Sequence, residues 1–189
     1  MTRSADGDGG DGPPSVAAVV LAAGAGTRFG GPKQRLLLPR VLDRVRQSSV
    51  SEIVVVAGAY DLDTEGAELV SCPDWERGPG ASLRCGLAVL SDDVDAAAVC
   101  LADGPNVSPG AIERVVGAWR RGQADVVAAS YGGGRGHPVV IGRAAWASVP
   151  DEGARALPAL LVSCDDLVPP GDVDTPRDIE SLDPPLAER

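Results

Sequence analysis

An uninterrupted apolar run near the start of the chain, Val16–Ala22, passes directly into a glycine-rich segment. Because no polar residue interrupts it, the run is typical of a central parallel strand that is covered by helices on both faces. Further candidate strands are Ile53–Ala57, Ala96–Ala102, Ala124–Ser130 and the shorter Val139–Ile141. A chain built on such strands is restricted to a few layered architectures.

Helical patterns lie between these candidate strands, with apolar residues every three or four positions. The alternation predicts an α/β fold with a mostly parallel sheet and helices on both faces, whose ligands bind in the loops after the strands. Two helix starts are marked, by Ser108 before Pro109 and by a segment resembling a capping box at Thr175–Asp178. The apolar positions of the three patterns are Val41, Leu42 and Val45, then Leu83, Leu87 and Leu90, then Ile112, Val115, Val116 and Trp119.

Length and composition fit a single domain. Of the 189 residues, 44% are hydrophobic, so we expect one domain over residues 15–183, with a disordered tail at 1–14 and a flexible C-terminus at 184–189. The formal net charge of -10 argues against nucleic acid and anionic membrane surfaces as partners. The sequence shows neither a signal-peptide pattern nor an apolar run of membrane-spanning length, so we expect a cytoplasmic protein.

The four cysteines, Cys72, Cys85, Cys100 and Cys164, form no Cys-x-x-Cys pair. This spacing argues against a zinc knuckle and against a redox dithiol. We therefore expect reduced, half-buried thiols.

The segment after the first strand, residues 24–33, has the composition of a phosphate-binding loop. It combines glycines with Thr27, Arg28 and Lys33. Glycine allows backbone N–H groups to approach phosphate oxygens closely, and the two cations supply the charge that a triphosphate requires. The loop is not a Walker loop, because proline precedes the lysine and glutamine follows it, and its glycine spacing is not that of a dinucleotide fingerprint. A flexible surface turn is the alternative explanation.

Acidic residues follow two other extended segments. Asp103 comes directly after the third candidate strand and before Gly-Pro, which places its carboxylate where a bound triphosphate would lie. Mg²⁺ takes one or two carboxylates together with phosphates and water. Asp172 and Asp174 alternate along an extended segment, so they point the same way and can complete a metal site. The alternatives are that Asp103 only forms a turn and that the other two are solvated turn or helix-cap acids.

Five stretches, taken in order, resemble the motifs of the MobA-like NTP transferases, particularly the molybdenum cofactor cytidylyltransferase branch. The ordered set covers the chain from Val16 to about Leu182. The resemblance implies a Rossmann-like three-layer α/β/α nucleotidyltransferase domain with a mostly parallel sheet. The stretches are a Leu-Ala-Ala-Gly-x-Gly-x-Arg signature with its lysine at 21–33, a Gly-x-x-x-Ser-Leu stretch at 78–87, an Asp-x-Pro turn at 103–105, an acceptor-side loop at 134–139 and an Asp-x-Asp-Thr-Pro motif at 172–176.

The resemblance also implies which residues act. Arg28 and Lys33 are then the catalytic cations, and the carboxylates of Asp103, Asp172 and Asp174 hold Mg²⁺. The nucleotide contacts are Leu21, Ala22, Ala23, Gly24, Gly26, Thr27 and Ser82, although Ser82 near a helix start is equally well explained as a helix cap.

The acceptor side is marked by Arg135 and His137. A guanidinium binds phosphate well, so Arg135 is suited to hold the acceptor's phosphate. His137 is the only histidine of the chain, and Gly and Pro around it favour an exposed loop over a place in the core. It contacts the acceptor or is an incidental loop residue.

The reaction implied is attack by a phosphate oxygen of the acceptor on the α-phosphorus of the triphosphate, with pyrophosphate leaving. Such catalysis depends on positioning and on neutralising charge. The Leu-Ala-Ala-Gly form favours CTP as the nucleotide and molybdopterin as the acceptor, with a molybdoenzyme as a further candidate partner. Phospholactate-like acceptors and sugar phosphates are the alternatives.

The chain departs from the family pattern after Lys33, where Leu36–Pro39 runs straight into the next helical pattern without the usual Gly-x-Pro-Leu turn. We therefore expect a short first crossover helix and an incomplete wall of the site. Gly104 also stands where the family often has a longer side chain, which makes the assignment of the acceptor less specific. Two rival functions follow: a catalytically weak nucleotide-binding module, and a nicotinamide-dependent oxidoreductase. The second would need an acid at the end of the second strand to hold ribose hydroxyls, and Val56–Ala59 offers none.

Overall fold

The computed structural model describes residues 12–180 and residue 182, and it shows one sheet with helices against both faces. Most of the predicted tail at 1–14, residue 183 and the C-terminus at 184–189 lie outside the described residues. The strands are β1 Val16–Leu21, β2 Ile53–Ala57, β3 Glu68–Ser71, β4 Ala96–Leu101, β5 Val126–Tyr131, β6 Gly134–Gly142 and β7 Leu160–Ser163. The α-helices are α1 Lys33–Val45, α2 Pro79–Leu87, α3 Pro109–Arg120 and α4 Pro176–Glu180, with 3₁₀ helices at Trp75–Arg77, Arg143–Ser148 and Ala154–Ala156.

The strands follow the order β3-β2-β1-β4-β6-β5-β7 across the sheet. Every pairing is parallel except those of β6, which runs antiparallel to both β4 and β5. The predicted α/β class with a mostly parallel sheet is therefore confirmed. From β1 the chain builds outwards to β2 and β3, whereas β4 lies on the other side of β1. The order thus changes direction between β1 and β4, which is where sheets of this kind bind their ligands.

Successive residues of β1 supply two separate cores. Val16, Ala18 and Val20 pack with residues of α1 and α3 on one face, and Ala17 and Val19 pack with residues of α2 on the other. Because side chains alternate across a strand, only a strand covered on both faces requires an unbroken apolar run. The unbroken apolar run Val16–Ala22 is therefore explained by the central position of β1, which is covered on both faces.

Four predicted strands coincide with β1, β2, β4 and β5 to within two residues. The fifth, Val139–Ile141, is only the buried end of β6, which begins at Gly134. The prediction of a loop at 134–139 was therefore wrong, because antiparallel pairing with β5 extends β6 back to Gly134. The edge strands β3 and β7 were not predicted, since each has only four residues and most of these are exposed, so neither gives the longer buried run of a central strand.

The helix starts follow the sequence signals in part. Asp178 accepts hydrogen bonds from the N–H of Thr175 at 2.7 Å and from its hydroxyl at 3.0 Å, as the capping box predicts. Ser108 occupies the N-cap of α3 but makes no side-chain cap bond. The expectation of a short first crossover helix was wrong, because α1 has 13 residues and is the longest α-helix among the described residues. Within the described part of the chain, no helix combines the length and apolarity needed to cross a membrane.

The cysteines differ from the prediction of reduced, half-buried thiols. Cys72, which follows β3, and Cys85, in α2, form a disulfide with their Cα atoms 5.8 Å apart. The sequence spacing did not reveal it because packing of α2 on the edge of the sheet brings the two residues together. Cys100 and Cys164 are free but fully buried, and burial raises the pKa of the Cys100 thiol to about 12.

This disulfide should measurably stabilise the fold. It closes a loop with a sequence separation of 13 residues, for which the loss of unfolded-state entropy corresponds to about 3 kcal/mol. In urea unfolding, the Cys72→Ser/Cys85→Ser variant should be less stable than the oxidised protein by about that amount, and a reductant should bring the wild type to the same midpoint. The reductant should leave the variant unchanged. Equal midpoints for oxidised wild type and variant would contradict the assignment.

Candidate functional site

The glycine-rich loop and Asp103 meet at one edge of the sheet. In the parallel pairing of β1 with β4, Leu21 lies opposite Leu101, so the segments that follow the two strands leave the sheet side by side. They enclose a cleft of about 260 Å³. The predicted residues that line it are Leu21, Ala22, Gly24, Gly26, Thr27, Arg28, Lys33, Asp103, Asp172 and Asp174, and residues that were not predicted, Phe29, Gln34, Leu101 and Ala102, join them.

Four consecutive carbonyl groups of the loop are bound by donors of the protein. Two of the donors are side chains, and the others are backbone N–H groups. The carbonyl of Ala23 accepts from Ala59 N at 3.1 Å, that of Gly24 from Gln34 Nε2 at 2.6 Å, that of Ala25 from the Tyr60 hydroxyl at 2.9 Å, and that of Gly26 from the N–H groups of Phe29 and Gly30 at 3.0 Å each.

The N–H groups of the same loop have no such partners. Within the described residues, none of the N–H groups of residues 23–28 donates a hydrogen bond. Gly26 has a φ of 60°, and a Cβ at this position would lie 2.4 Å from the carbonyl oxygen of Gly31, so only glycine fits. A loop with bound carbonyls and unbound N–H groups is suited to bind an anion.

Lys33 is the buried cation of the cleft. Only 7% of the residue is exposed, and its ammonium donates to the carbonyl of Val173 at 2.6 Å. The same nitrogen lies 3.0 Å from Asp103 Oδ2 and 3.4 Å from Asp174 Oδ1. Arg28 also pairs with Asp174, but 77% of its side chain is exposed, so it is free to change partners. The two predicted cations are therefore held by two of the predicted metal ligands.

Asp172 is the carboxylate of the cleft without a direct cation partner among the described residues. Burial raises its pKa, and the neighbouring charges of Asp103 and Asp174 raise it further, while Lys33 and Arg28 act in the opposite direction. Oxygen ligands of this kind suit Mg²⁺, which needs only one or two carboxylates when phosphates supply the rest. Residues 12–180 and 182 contain no ready-made cluster of three such ligands.

A second cavity of about 480 Å³ adjoins the cleft and shares Leu101, Asp103 and Asp172 with it. Its wall includes Tyr131, which sequence reasoning missed although it directly follows the fourth predicted strand, Ala124–Ser130. The hydroxyl of Tyr131 donates to the carbonyl of His137 at 3.1 Å. The remaining lining residues are Gly104, Val107, Gly134, Arg135, Gly136, His137, Pro169, Pro170 and Gly171.

Both predicted acceptor residues line this second cavity, but neither lies in an exposed loop. His137 is half-buried in β6, and burial lowers its pKa to about 4, with Asp103 opposing and Arg135 adding to the shift. Arg135 donates through its terminal nitrogens to the carbonyls of Leu157 and Ala154, at 2.6 and 2.9 Å. Its Nε is buried without a partner in the described structure. The guanidinium is thus partly committed to the protein.

Two predicted nucleotide residues lie beside the cleft without lining it. Ala23 is buried behind the loop, where its carbonyl is bound by Ala59. Ser82 is only 4% exposed in the first turn of α2. The N-terminus of this helix is covered, because Gly80 N donates to the carbonyl of Asp151 at 2.9 Å. The predicted contact of Ser82 with the base or ribose is therefore not apparent in this arrangement.

Comparison with known proteins links this site to one family. A family model described as the MobA-like NTP transferase domain matches residues 18–164. The nicotine blue oxidoreductase of Paenarthrobacter nicotinovorans is 33% identical over 86% of this chain and 93% of that protein. The bifunctional enzyme IspD/IspF of Dinoroseobacter shibae is 34% identical over 54% of this chain, but only 29% of that larger protein is matched.

Solved structures agree with this result. Rv0371c from Mycobacterium tuberculosis superposes with a TM-score of 0.74 and 28% identity, covering 89% of this chain and 97% of that one. A structure of the same protein in complex with manganese gives a TM-score of 0.70 with 26% identity, over 89% of this chain and 100% of that one. The fold is therefore shared with these proteins over nearly their whole length.

Because His137 is the only histidine, its low pKa should be visible in the pH dependence of stability. Its pKa in the folded protein is about 4, against an ordinary value of 6.5, so the unfolded chain binds more protons between these values and the free energy of unfolding falls as pH is lowered through that window. Comparing urea unfolding at pH 7 and pH 4.5, we expect the wild type to lose about 2 kcal/mol more than His137→Gln. Parallel losses in the two proteins would contradict the burial of a neutral imidazole.

Proposed function

The chain belongs to the MobA-like NTP transferase family of nucleotidyltransferases, and from this premise we propose that it transfers the cytidylyl group of CTP to a phosphorylated acceptor, with molybdopterin as the favoured acceptor. The proposal includes a cytoplasmic location. Because the cytoplasm is a reducing compartment, Cys72 and Cys85 would be thiols there. A molybdoenzyme that receives the product is the partner that fits this acceptor. Phospholactate-like acceptors and sugar phosphates are the alternatives.

The observation that carries the proposal is the glycine-rich loop, in which the carbonyls of residues 23–26 are bound by the protein while the N–H groups of residues 23–28 have no partner in the described structure. Backbone N–H groups in this arrangement bind phosphate oxygens. Lys33 at the start of α1 and Arg28 within the loop lie beside them. These groups give the cleft both the directional donors and the positive charge that a triphosphate requires.

The two adjoining cavities suggest how the reactants meet. We assign the triphosphate to the cleft of the glycine-rich loop and the acceptor to the cavity lined by Tyr131, Arg135 and His137. A phosphate oxygen of the acceptor then attacks the α-phosphorus in line, the bond to the β-phosphate oxygen breaks, and pyrophosphate leaves. Arg28 and Lys33 stabilise the charge that develops on the phosphates, so positioning and electrostatics supply the catalysis.

We assign the metal to Asp103 together with Asp172 and Asp174, whose carboxylates suit Mg²⁺. A bound Mg²⁺ would supply neutralisation of the phosphate charge. Support comes from the manganese complex of Rv0371c, which is 26% identical to this chain. Lys33 and Arg28 pair with Asp103 and Asp174, so both cations must release these carboxylates when they turn to the triphosphate.

The direct test is pyrophosphate release in the presence of Mg²⁺ and a molybdopterin extract, with CTP, GTP, ATP and UTP compared. We expect release to depend on CTP and on the extract, and Asp103→Ala to reduce it by at least about a hundredfold, because the variant loses a ligand of the metal that would neutralise the phosphate charge. Release with another nucleotide or acceptor would redirect the specificity. Binding of CTP without any release would favour the nucleotide-binding module.

Lys33→Ala should lower the rate of nucleotidyl transfer by about a hundredfold or more, because a buried cation beside the phosphates is lost. The measurement is the steady-state rate at saturating nucleotide. Arg35→Ala is the matched control, since it removes a cation two positions along α1 whose Nε donates to the carbonyl of Asp61 instead. Undiminished turnover of Lys33→Ala would refute the role of this lysine.

A second candidate function rests on the 33% identity to the nicotine blue oxidoreductase. Hydride transfer would require a nicotinamide dinucleotide in the same cleft. The end of β2 argues against this function. The strand ends at Ala57 and is followed by Gly58 and Ala59, so no acid lies there to hold the ribose hydroxyls of the dinucleotide. Tight binding of NADH or NADPH that competes with CTP, together with oxidation of the reduced cofactor, would favour this function over nucleotidyl transfer.

A further inference from the structure

Two of the four fixed carbonyls of the glycine-rich loop are held by side chains, those of Gln34 and Tyr60. We infer that Gln34 and Tyr60 are positioning residues that turn the N–H groups of this loop towards the triphosphate. The inference rests on the proposed function, because it assumes that the loop binds phosphate. Neither residue needs to touch the nucleotide for this role, and neither is among the site residues predicted from the sequence.

The geometry of the peptide bond explains how a bound carbonyl orients an N–H group. In a trans peptide the C=O of one residue and the N–H of the next lie in one plane and point in opposite directions. The bond from Gln34 to the carbonyl of Gly24 therefore sets the direction of the Ala25 N–H. The bond from Tyr60 to the carbonyl of Ala25 sets that of the Gly26 N–H.

Gln34 buries a polar amide that packing alone does not explain. It follows Lys33 in the first turn of α1, and only 4% of the residue is exposed. Its Nε2 donates to Gly24, while its Oε1 is buried with no hydrogen-bond partner. Turning the amide over would set Oε1 against the carbonyl oxygen of Gly24, so the donor must face the loop.

The unpaired Oε1 separates a positioning role from a stabilising one. A buried acceptor without a partner costs free energy, and an apolar side chain of similar length would avoid that cost. Gln34→Met removes the bond to Gly24 and also removes the unpaired oxygen. Loss of the bond lowers the stability of the fold, and loss of the unpaired oxygen raises it, so the two effects oppose each other. Only the lost bond affects the orientation of the loop.

Tyr60 holds the loop from the other side. It lies in the segment after β2, where the neighbouring Ala59 N donates to the carbonyl of Ala23. The tyrosine hydroxyl reaches the carbonyl of Ala25 at 2.9 Å. The loop is therefore clamped between α1 and the segment that follows β2. Tyr60→Phe removes the hydroxyl alone and leaves the ring, which packs against the core, in place.

The experiment measures binding of tripolyphosphate and of CTP, each with Mg²⁺, to the full chain by calorimetry. One neutral hydrogen bond corresponds to about a fivefold change in affinity. We expect Gln34→Met and Tyr60→Phe each to weaken both ligands by about fivefold or more, and the double variant by about twentyfold or more, with thermal midpoints close to that of the wild type. The ratio of CTP to tripolyphosphate affinity should stay constant, because the loop contacts phosphates and not the base.

Thr64→Val is the matched control. The buried Thr64 hydroxyl donates to the carbonyl of Ala67 at 2.6 Å, outside the cleft, so its loss should leave both affinities unchanged. Hydrogen exchange gives a second measurement: tripolyphosphate should protect the amides of residues 24–27 in the wild type and protect them less in the two variants. A fall in thermal midpoint without loss of affinity would show a purely structural role.

The outcomes distinguish this inference from the proposed function. If the wild type binds neither CTP nor tripolyphosphate, the loop is not a triphosphate site and both proposals fail. If the wild type binds both ligands and the two variants bind them equally well, the positioning role alone is refuted. Loss of CTP binding with retained tripolyphosphate binding would also refute it, since that result would place Gln34 or Tyr60 against the nucleoside.

Discussion

The parallel pairing of β1 with β4 is the constraint on which the rest of the site depends. Its register sets Leu21 beside Leu101 and so brings the glycine-rich loop and Asp103, far apart in sequence, to one edge of the sheet. Both strands are buried on both faces, so a slip of the register would disturb two cores at once. The hydrophobic effect that stabilises the sheet therefore also fixes the position of the glycine-rich loop relative to Asp103.

Charge is the second organising factor. The cleft combines the carboxylates of Asp103, Asp172 and Asp174 with the cations of Lys33 and Arg28. Lys33 also donates to the carbonyl of Val173, which joins α1 to the segment that carries Asp172 and Asp174. A triphosphate that draws both cations away would leave three neighbouring carboxylates without compensation. Binding of a divalent cation and of the nucleotide are thus expected to favour each other, because each resolves the charge that the other leaves unbalanced.

The sequence predicted the buried strands well, because burial on both faces leaves an unbroken apolar run. It did not predict β3 and β7, whose residues are largely exposed, or the early part of β6, where glycines suggested a loop. Most predicted site residues do line the two cavities. Those of the glycine-rich loop and Asp103 follow β1 and β4, whose ends were recognised, whereas Asp172 and Asp174 follow β7 and were found from their own motif. The disulfide, and the contacts of Gln34 and Tyr60 with the loop, depend on tertiary packing that local patterns do not encode.

Residues 134–139 belong to β6 and not to the predicted loop, and this changes which charges the proposed acceptor cavity can offer. Because His137 lies in β6 and stays neutral down to a pKa of about 4, it can offer an acceptor a hydrogen bond but not a positive charge at neutral pH. Arg135 is held by two carbonyls, so its charge is only partly available. The second cavity is therefore poor in free cations next to Asp103 and Asp172. In the proposed reaction, an acceptor phosphate would consequently be neutralised mainly from the nucleotide side, by Lys33, Arg28 and the metal that the carboxylates would hold. Acceptor binding would then depend on prior occupation of the first cleft.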